Sequence, residues 1–354
     1  MRRRSWATCS GSRCLTCCPC CWWCGPSFSG SRSGKELRVS GISVLLILVG
    51  LGLLYFGAEW LVRGSAGLAL RLGLTPLVVG LTVVAYGTSM PELVVSVKAA
   101  WQGSGDIAVG NVVGSNICNI GVILGLACLI QPLQVKLQLL RHDVPLMVGI
   151  TALVIGLLWD QHLSRLEGSL LVLGIIAYTV HLLRAARRET EPAVTEEFQA
   201  VDTHRRTGLG RQVAFILGGL LLLFLGGQSL LAGAVQLARG LGVSEAVIGL
   251  TVVALGTSFP ELAATVVAAG RKEGDIALGN IIGSNLFNLL NILGTAALVQ
   301  PLDCRGISRL DFAMMLALAV LLLPLMRSGL RLQRWEGGLL LVLYGSYVAW
   351  LWPK

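Results

Sequence analysis

The sequence predicts an all-α polytopic membrane protein: ten transmembrane helices in two inverted five-helix repeats, with broken helices at the midplane. Three observations carry that expectation. First, the chain has 354 residues, 54% of them apolar and 13% charged, and a mean hydropathy of +0.74. Soluble globular chains carry about 25% charged residues, so too few remain here to face water. Second, apolar runs long enough to cross a bilayer recur from residue 42 to the C-terminus. Third, a long segment occurs twice. The composition excludes a cytosolic enzyme, a secreted disulfide scaffold and a nucleic-acid binder. The net charge of +9 bears on topology before it bears on any polyanionic partner.

Taken in order, the first 40 residues stand apart. Cys9, Cys14, Cys17, Cys18, Cys20, Cys21 and Cys24 crowd into them. Their overlapping C-x2-C spacing lacks the histidine or separate second pair of a zinc site. The stretch also lacks the ordered apolar core of a signal peptide. Residues 1–40 therefore read as a disordered or spurious Cys-rich tail, and Cys118, Cys128 and Cys304 as small core residues. Hydropathy and helix breakers place spans at 42–62, 75–100, 106–130, 143–159, 165–184, 212–238, 245–270, 275–299, 309–326 and 335–352. The one long polar segment between spans separates two units. The expected division is a first repeat over 41–184, a cytoplasmic linker over 185–211 and a second repeat over 212–354.

The repeat is explicit. GLTVVAYGTSMPEL (Gly80 to Leu93) returns as GLTVVALGTSFPEL (Gly249 to Leu262), and GDIAVGNVVGSNICN (Gly105 to Asn119) returns as GDIALGNIIGSNLFN (Gly274 to Asn288). At a constant offset of 169, 33 of the 54 positions between 80–133 and 249–302 are identical, which excludes chance. Five spans per copy is an odd number, so the second copy enters the membrane from the opposite face. Such inverted repeats place substrate sites near the midplane, where discontinuous helices meet. With the linker in the cytoplasm, 15 of the basic residues beyond the tail lie on that side and 6 on the other, as the positive-inside rule requires.

Each copy sets a proline and a glutamate inside an apolar span: Pro91 with Glu92, Pro260 with Glu261. Proline has no N–H for the carbonyl four residues back, here Gly87 and Gly256, so the helix should unwind there. A carboxylate at membrane depth is costly unless paired and marks a functional site. Two in matching positions, with no matching basic side chain, call for cations. Helical spacing puts Thr88 and Ser89 on the Glu92 face, and Thr257 and Ser258 on the Glu261 face. Asn111, Ser115 and Asn119 stack along the next span, as do Asn280, Ser284 and Asn288. Carboxylate, hydroxyl, amide and carbonyl oxygens form the ligand set of a hard cation such as calcium. Asn116 and Asn285 point elsewhere and read as interhelical hydrogen-bonding groups. The G-x3-G pairs (Gly110 with Gly114, Gly279 with Gly283) read as packing, and Asp106 and Asp275 as N-caps. Glu59, aligned with Gln228, reads as a polar contact supporting the site. His142, His162, His181 and His204 lack metal-ligand spacing. Trp159, Trp335, Trp350 and Trp352 read as interfacial anchors. Without a Walker motif, G-x-S-x-G or H-E-x-x-H, the chain has no sign of ATP-driven pumping or hydrolysis.

On these residues the sequence resembles the calcium/cation antiporter superfamily, and within it the prokaryotic sodium/calcium exchangers with two inverted alpha-repeats. The paired GTS-x-PE and GN-x-x-GSN motifs carry the resemblance, which spans residues 42–352. It implies a transporter in the inner (plasma) membrane, not an enzyme, that exchanges sodium for calcium by alternating access and exports calcium. It implies calcium and sodium as transported ions, the lipid bilayer as surroundings, and no cofactor, nucleic acid or obligate protein partner. Carried over by position, Glu92 and Glu261 bind the ions. Thr88, Ser89, Thr257 and Ser258 supply hydroxyl or backbone oxygens, Ala85 and Ala254 supply carbonyls, and Ser115, Asn119, Ser284 and Asn288 complete the set. Potassium-dependent relatives carry an aspartate where this chain has Asn288, so the resemblance implies no potassium requirement. Proton-coupled calcium exchange is the alternative coupling. A cation channel is the alternative of another class, but it needs a stationary filter, whereas broken helices in inverted halves favour alternating access.

Overall fold

The computed structural model describes residues 41–188, 208–241 and 256–351, almost all of them helical. The tail, the linker from 189 to 207, and 242–255 with Ala254 lie outside the described residues, as do His204 and Trp352. In chain order the helices are α1 (Gly41–Leu72), α2 (Pro76–Thr88), α3 (Met90–Trp101), α4 (Gly105–Ile130), α5 (Leu139–Asp160) and α6 (Arg165–Arg188). They continue with α7 (Leu209–Gly240), α8 (Phe259–Gly270), α9 (Gly274–Val299), α10 (Arg309–Arg327) and α11 (Arg334–Leu351). Seven of these are long and apolar enough to cross a membrane, and eight if the bent pair α2–α3 is one span.

Helix α1 runs ten residues beyond the expected end at 62. The reason is Arg63, which reads as a terminus in hydropathy but pairs with Glu59 one turn earlier at 2.6 Å. At 1.5 Å per residue the 32 residues of α1 cover about 48 Å, more than enough to cross a ~30 Å hydrocarbon layer. Its repeat counterpart α7 has the same 32 residues.

The two long helices lie side by side and antiparallel. Gly50 abuts Leu230, Gly57 abuts Leu223 and Gly219, and Gly64 abuts Ile216 and Gln212. From the other side, Gly219 meets Leu61, Gly226 meets Leu54, and Gly233 meets Ser43 and Ile47. A Cβ on Gly57 would sit 2.8 Å from the Leu223 nitrogen, so only glycine admits this approach. Small residues are the usual seam between membrane helices, because lipid gives no hydrophobic drive to bring them together.

Two short antiparallel bridges join the halves. β1 (Leu133–Gln134) pairs with β4 (Arg331–Leu332), and β2 (His162–Leu163) pairs with β3 (Leu302–Asp303). Leu133 faces Leu332, and Leu163 faces Leu302. The offset of 169 converts each of these pairs into the other, so the two bridges are themselves repeat-related. The most buried helices, α4 and α9, form the centre. In α9, Gly279 and Gly283 admit the α2 backbone, with absent Cβ positions 2.8 Å from Leu77 O and 2.5 Å from Leu81 O. Gly110 and Gly114 have no such backbone contact among the described residues. Cys118, Cys128 and Cys304 are buried free thiols.

Candidate functional site

The site forms where the broken helices cross the centre. Helices α2 and α3 meet at 47°, with Ser89 at the break (φ −82°, ψ 9°) and Pro91 in the first turn of α3. Proline fits an N-terminal turn, where its missing N–H costs nothing. Ser258 repeats the same backbone (φ −87°, ψ 9°) ahead of α8, with Pro260 in the first turn. Glu92 and Glu261 are therefore first-turn residues of α3 and α8. Each is 1% exposed.

Each carboxylate is held by the opposite half. Ser89 Oγ donates to Glu261 Oε1 at 2.8 Å, and Ser258 Oγ donates to Glu92 Oε1 at 3.1 Å. Ser258 also lies 3.4 Å from Ser115 Oγ. Thr88 Oγ1 is 3.1 Å from Asn280 Oδ1 and 3.3 Å from Ala85 O. Ala85 O takes the Ser89 N–H at 3.1 Å as well, and Ser284 Oγ lies 3.5 Å from it. Asn119 and Asn288 sit at the first residue of π-helical turns, Asn119–Leu124 and Asn288–Ile292. Such turns occur mostly as single bulges, frequently at functional sites. The structure thus brings Glu92, Glu261, Thr88, Ser89, Thr257, Ser258, Ser115, Asn119, Ser284, Asn288 and Ala85 to the crossing of α2–α3, α8 and the two central helices.

Two predicted stacks divide. Asn111 does not present its amide with Ser115 and Asn119: its Nδ2 donates to Glu92 O at 3.2 Å and to Ser96 Oγ at 2.9 Å. Asn280 does the same, to Glu261 O at 3.4 Å and Thr265 Oγ1 at 2.9 Å. Both brace the helices that carry the carboxylates. Asp106 and Asp275 are not N-caps. Those places belong to Ser104 and Glu273, because each aspartate has a better partner: Gly306 N–H at 2.7 Å for Asp106, and Lys136 Nζ at 2.9 Å for Asp275. Glu59 does not support the site. It forms ion pairs with Arg63 and with Arg271 at the end of α8. Asn116 and Asn285 make the interhelical hydrogen bonds expected of them, and their partners are the site's own asparagines (Asn288 Nδ2 to Asn116 Oδ1, 3.0 Å).

Polar groups buried without partners cost about 1–3 kcal/mol each, more when charged. Here Glu92 Oε2, Glu261 Oε2, Asn119 Oδ1, Asn288 Oδ1 and Thr257 Oγ1 are buried with no hydrogen-bond partner among the described residues. All five are oxygens that accept, and four of them are repeat-related pairs. Among the described residues neither carboxylate meets a basic side chain. The two carboxylate and two amide oxygens of this cluster, with the Thr257 hydroxyl beside them, are complementary to hard cations, and one unpartnered donor, Asn285 Nδ2, lies next to them.

Comparison with known proteins agrees. A family model described as sodium/calcium exchanger protein matches residues 42–184 and 211–352. The sodium/calcium exchanger MaX1 of Methanosarcina acetivorans is 34% identical over 342 residues, covering 87% of this chain and 97% of MaX1. The inner membrane protein YrbG of Escherichia coli (strain K12) is 37% identical over 317 residues, covering 88% of this chain and 96% of YrbG. A solved structure of the sodium-calcium exchanger NCX_Mj superposes with a TM-score of 0.75 at 30% identity, covering 87% of this chain and 98% of that one. The chain belongs to the sodium/calcium exchanger family.

Proposed function

We propose that this chain is an antiporter that exchanges sodium for calcium by alternating access and moves calcium outward across the inner (plasma) membrane. Glu92 and Glu261 balance the charge of one calcium, and the hydroxyl, amide and carbonyl oxygens around them complete its shell. The single observation that carries this reading is the set of repeat-related orphaned acceptors, Glu92 Oε2 with Glu261 Oε2 and Asn119 Oδ1 with Asn288 Oδ1. Nothing among the described residues satisfies them, and a cation would. Family membership supports the same reading.

The proposed architecture is ten spans in two inverted halves, 41–184 and 212–354, with 185–211 as a cytoplasmic linker. The antiparallel seam between α1 and its repeat counterpart α7 supports inversion, because repeat-related helices in parallel halves would run the same way. Alternating access follows from the pseudo-two-fold: two halves that share one site at their crossing have two equivalent ways to close around it. The test is calcium flux in vesicles reconstituted with the purified protein. An outward or inward sodium gradient drives calcium the opposite way, and a proton gradient at matched sodium does not. Flux driven by protons alone overturns the sodium coupling, and flux that needs no counter-ion gradient and saturates at channel rates overturns exchange.

A further inference from the structure

Asn116 and Asn285, one on each central helix, are 2% and 1% exposed and take no place in the cation shell. Their contacts cross between the halves. Asn288 Nδ2 donates to Asn116 Oδ1 at 3.0 Å, and Asn119 Nδ2 lies 3.5 Å from Asn285 Oδ1. Asn116 Nδ2 is turned toward Asn285 O at 3.4 Å and Met315 Sδ at 3.9 Å. We propose that Asn116 and Asn285 are positioning residues that lock the amides of the opposite half's Asn288 and Asn119, so that each turns its Oδ1, and not its NH2, toward a bound cation. The inference rests on the antiport reading above.

The oxygen and NH2 of an amide have nearly the same shape, and a half-turn about the terminal bond exchanges them. For a cation ligand that exchange is decisive, since it replaces an acceptor by two donors. Packing cannot prevent it, but hydrogen bonding can. If Asn288 flipped, two oxygens would face each other across the 3.0 Å now spanned by its NH2 and Asn116 Oδ1. Asn116 is itself set by the Asn285 main-chain carbonyl, which cannot flip. The chain of orientation therefore ends on a fixed dipole, and leaves Asn288 Oδ1 unpartnered. The other arm is looser: its amide contact is 3.5 Å, and Asn285 Nδ2 has no partner.

The test is a double-mutant cycle on calcium affinity, measured by calorimetry on the purified full-length protein, with sodium-driven flux in vesicles measured alongside. Asn116→Leu keeps the branch at Cγ and removes the acceptor. It raises the calcium Kd about tenfold, the scale of one lost orienting hydrogen bond, with the maximal flux held within about twofold. In an Asn288→Ala background Asn116→Leu adds no further shift, and in an Asn119→Ala background its shift multiplies. A merely structural asparagine would weaken binding equally in both backgrounds. If Asn116→Leu is not recovered folded, Asn285→Leu crossed with Asn119→Ala carries the same cycle, with a smaller shift of about threefold for its longer contact. An unchanged Kd, or a shift that persists without Asn288, overturns the inference. A wild type that binds calcium but does not exchange it overturns the antiport reading alone, and one that binds none overturns both.

Discussion

Helices α3 and α8 are the same element twice, yet they sit in different surroundings. Each starts at a break, presents its glutamate in the first turn and is braced there by an asparagine. Beyond that turn they part. Helix α1 packs along α8, whereas its counterpart α7 barely touches α3. Val94 and Trp101 of α3 are 63% and 78% exposed, beside a cleft of about 880 Å³ lined by Leu93, Val97, Lys98 and Thr295. In α8 the position matching Val94 is Ala263, packed against the core. The repeat diverges at the same place: 22 of 29 positions match in the two motif blocks, but only 3 of 11 between 94–104 and 263–273. The oxygen site keeps its two-fold, and the collar around it does not. The antiport reading calls for a second arrangement of this asymmetric collar, with α7 laid on α3 and α1 withdrawn from α8.

The largest effect comes from breaking the symmetric part. Glu92→Gln and Glu261→Gln each remove half the negative charge that a calcium ion requires. Leaving a buried charge without its partner costs about 3–5 kcal/mol, so sodium-driven calcium flux falls by a hundredfold or more while the protein still elutes as a folded species. The two variants must fall together. If one retains flux, the halves of the site are not equivalent and the comparison fails.

Next in size is the glycine seam between α1 and α7. Gly57→Leu drives a side chain into Leu223 N and Gly219 O, 2.8 and 2.9 Å from the absent Cβ. Gly226→Leu drives one into Leu54 N and Gly50 O, 2.8 and 3.0 Å away. Overpacking a close contact costs about 1–3 kcal/mol or more, and the equal geometry makes the two losses equal, read as the fall in melting temperature in detergent. A large difference between them would show that the seam does not obey the two-fold.

A smaller effect probes what only one half has. Arg271 ties the end of α8 to Glu59 of α1, with Arg63 at 2.6 Å on the same carboxylate. The matching positions hold Gln102 and Gln228, which carry no charge. Arg271→Gln leaves Glu59 to a half-exposed Arg63 and lowers stability by about 1–2 kcal/mol. Adding Glu59→Gln, which reproduces the neutral pair of the other half, restores much of it. Equal melting of the single and double variants would mean the ion pair adds nothing to the α1–α8 contact.

What the sequence disclosed follows the same division. The offset of 169 made the repeat, the breaks and the two glutamates legible, because an intramembrane Pro-Glu is costly wherever it sits. Hydropathy stopped α1 ten residues early, since it scores Arg63 as exposed charge and is blind to Glu59 one turn away. The glycines at 50, 57 and 64 and at 219, 226 and 233 are spaced by seven, a seam that period could have revealed. Asn116 was legible as an interhelical hydrogen-bonding group, but its partner in the site was not. The π-helical turn that begins at Asn119 changes the count of residues per turn, and the partner of Asn116 lies 172 residues away. Nor does a repeat say which of two equivalent packings the chain adopts.

The smallest expected effect is none at all, and it sharpens the comparison at the point where the halves agree. Both central helices present a neutral amide to the site, Asn119 and Asn288. The formal charge offered by the described site is then two, one from each glutamate, and a single calcium balances it. A potassium ion bound alongside would be an uncompensated cation in a low-dielectric interior, an expensive arrangement. The expected outcome is calcium flux that depends on sodium and not on potassium. Replacing potassium by choline on both sides of reconstituted vesicles, with the membrane potential clamped, leaves calcium uptake unchanged. Asn288→Asp adds the third charge to one half alone and weakens that independence. Collapse of wild-type uptake on potassium removal would mean that a group beyond Glu92 and Glu261 enters the charge balance, and that the two-fold of the oxygen site does not extend to its ions.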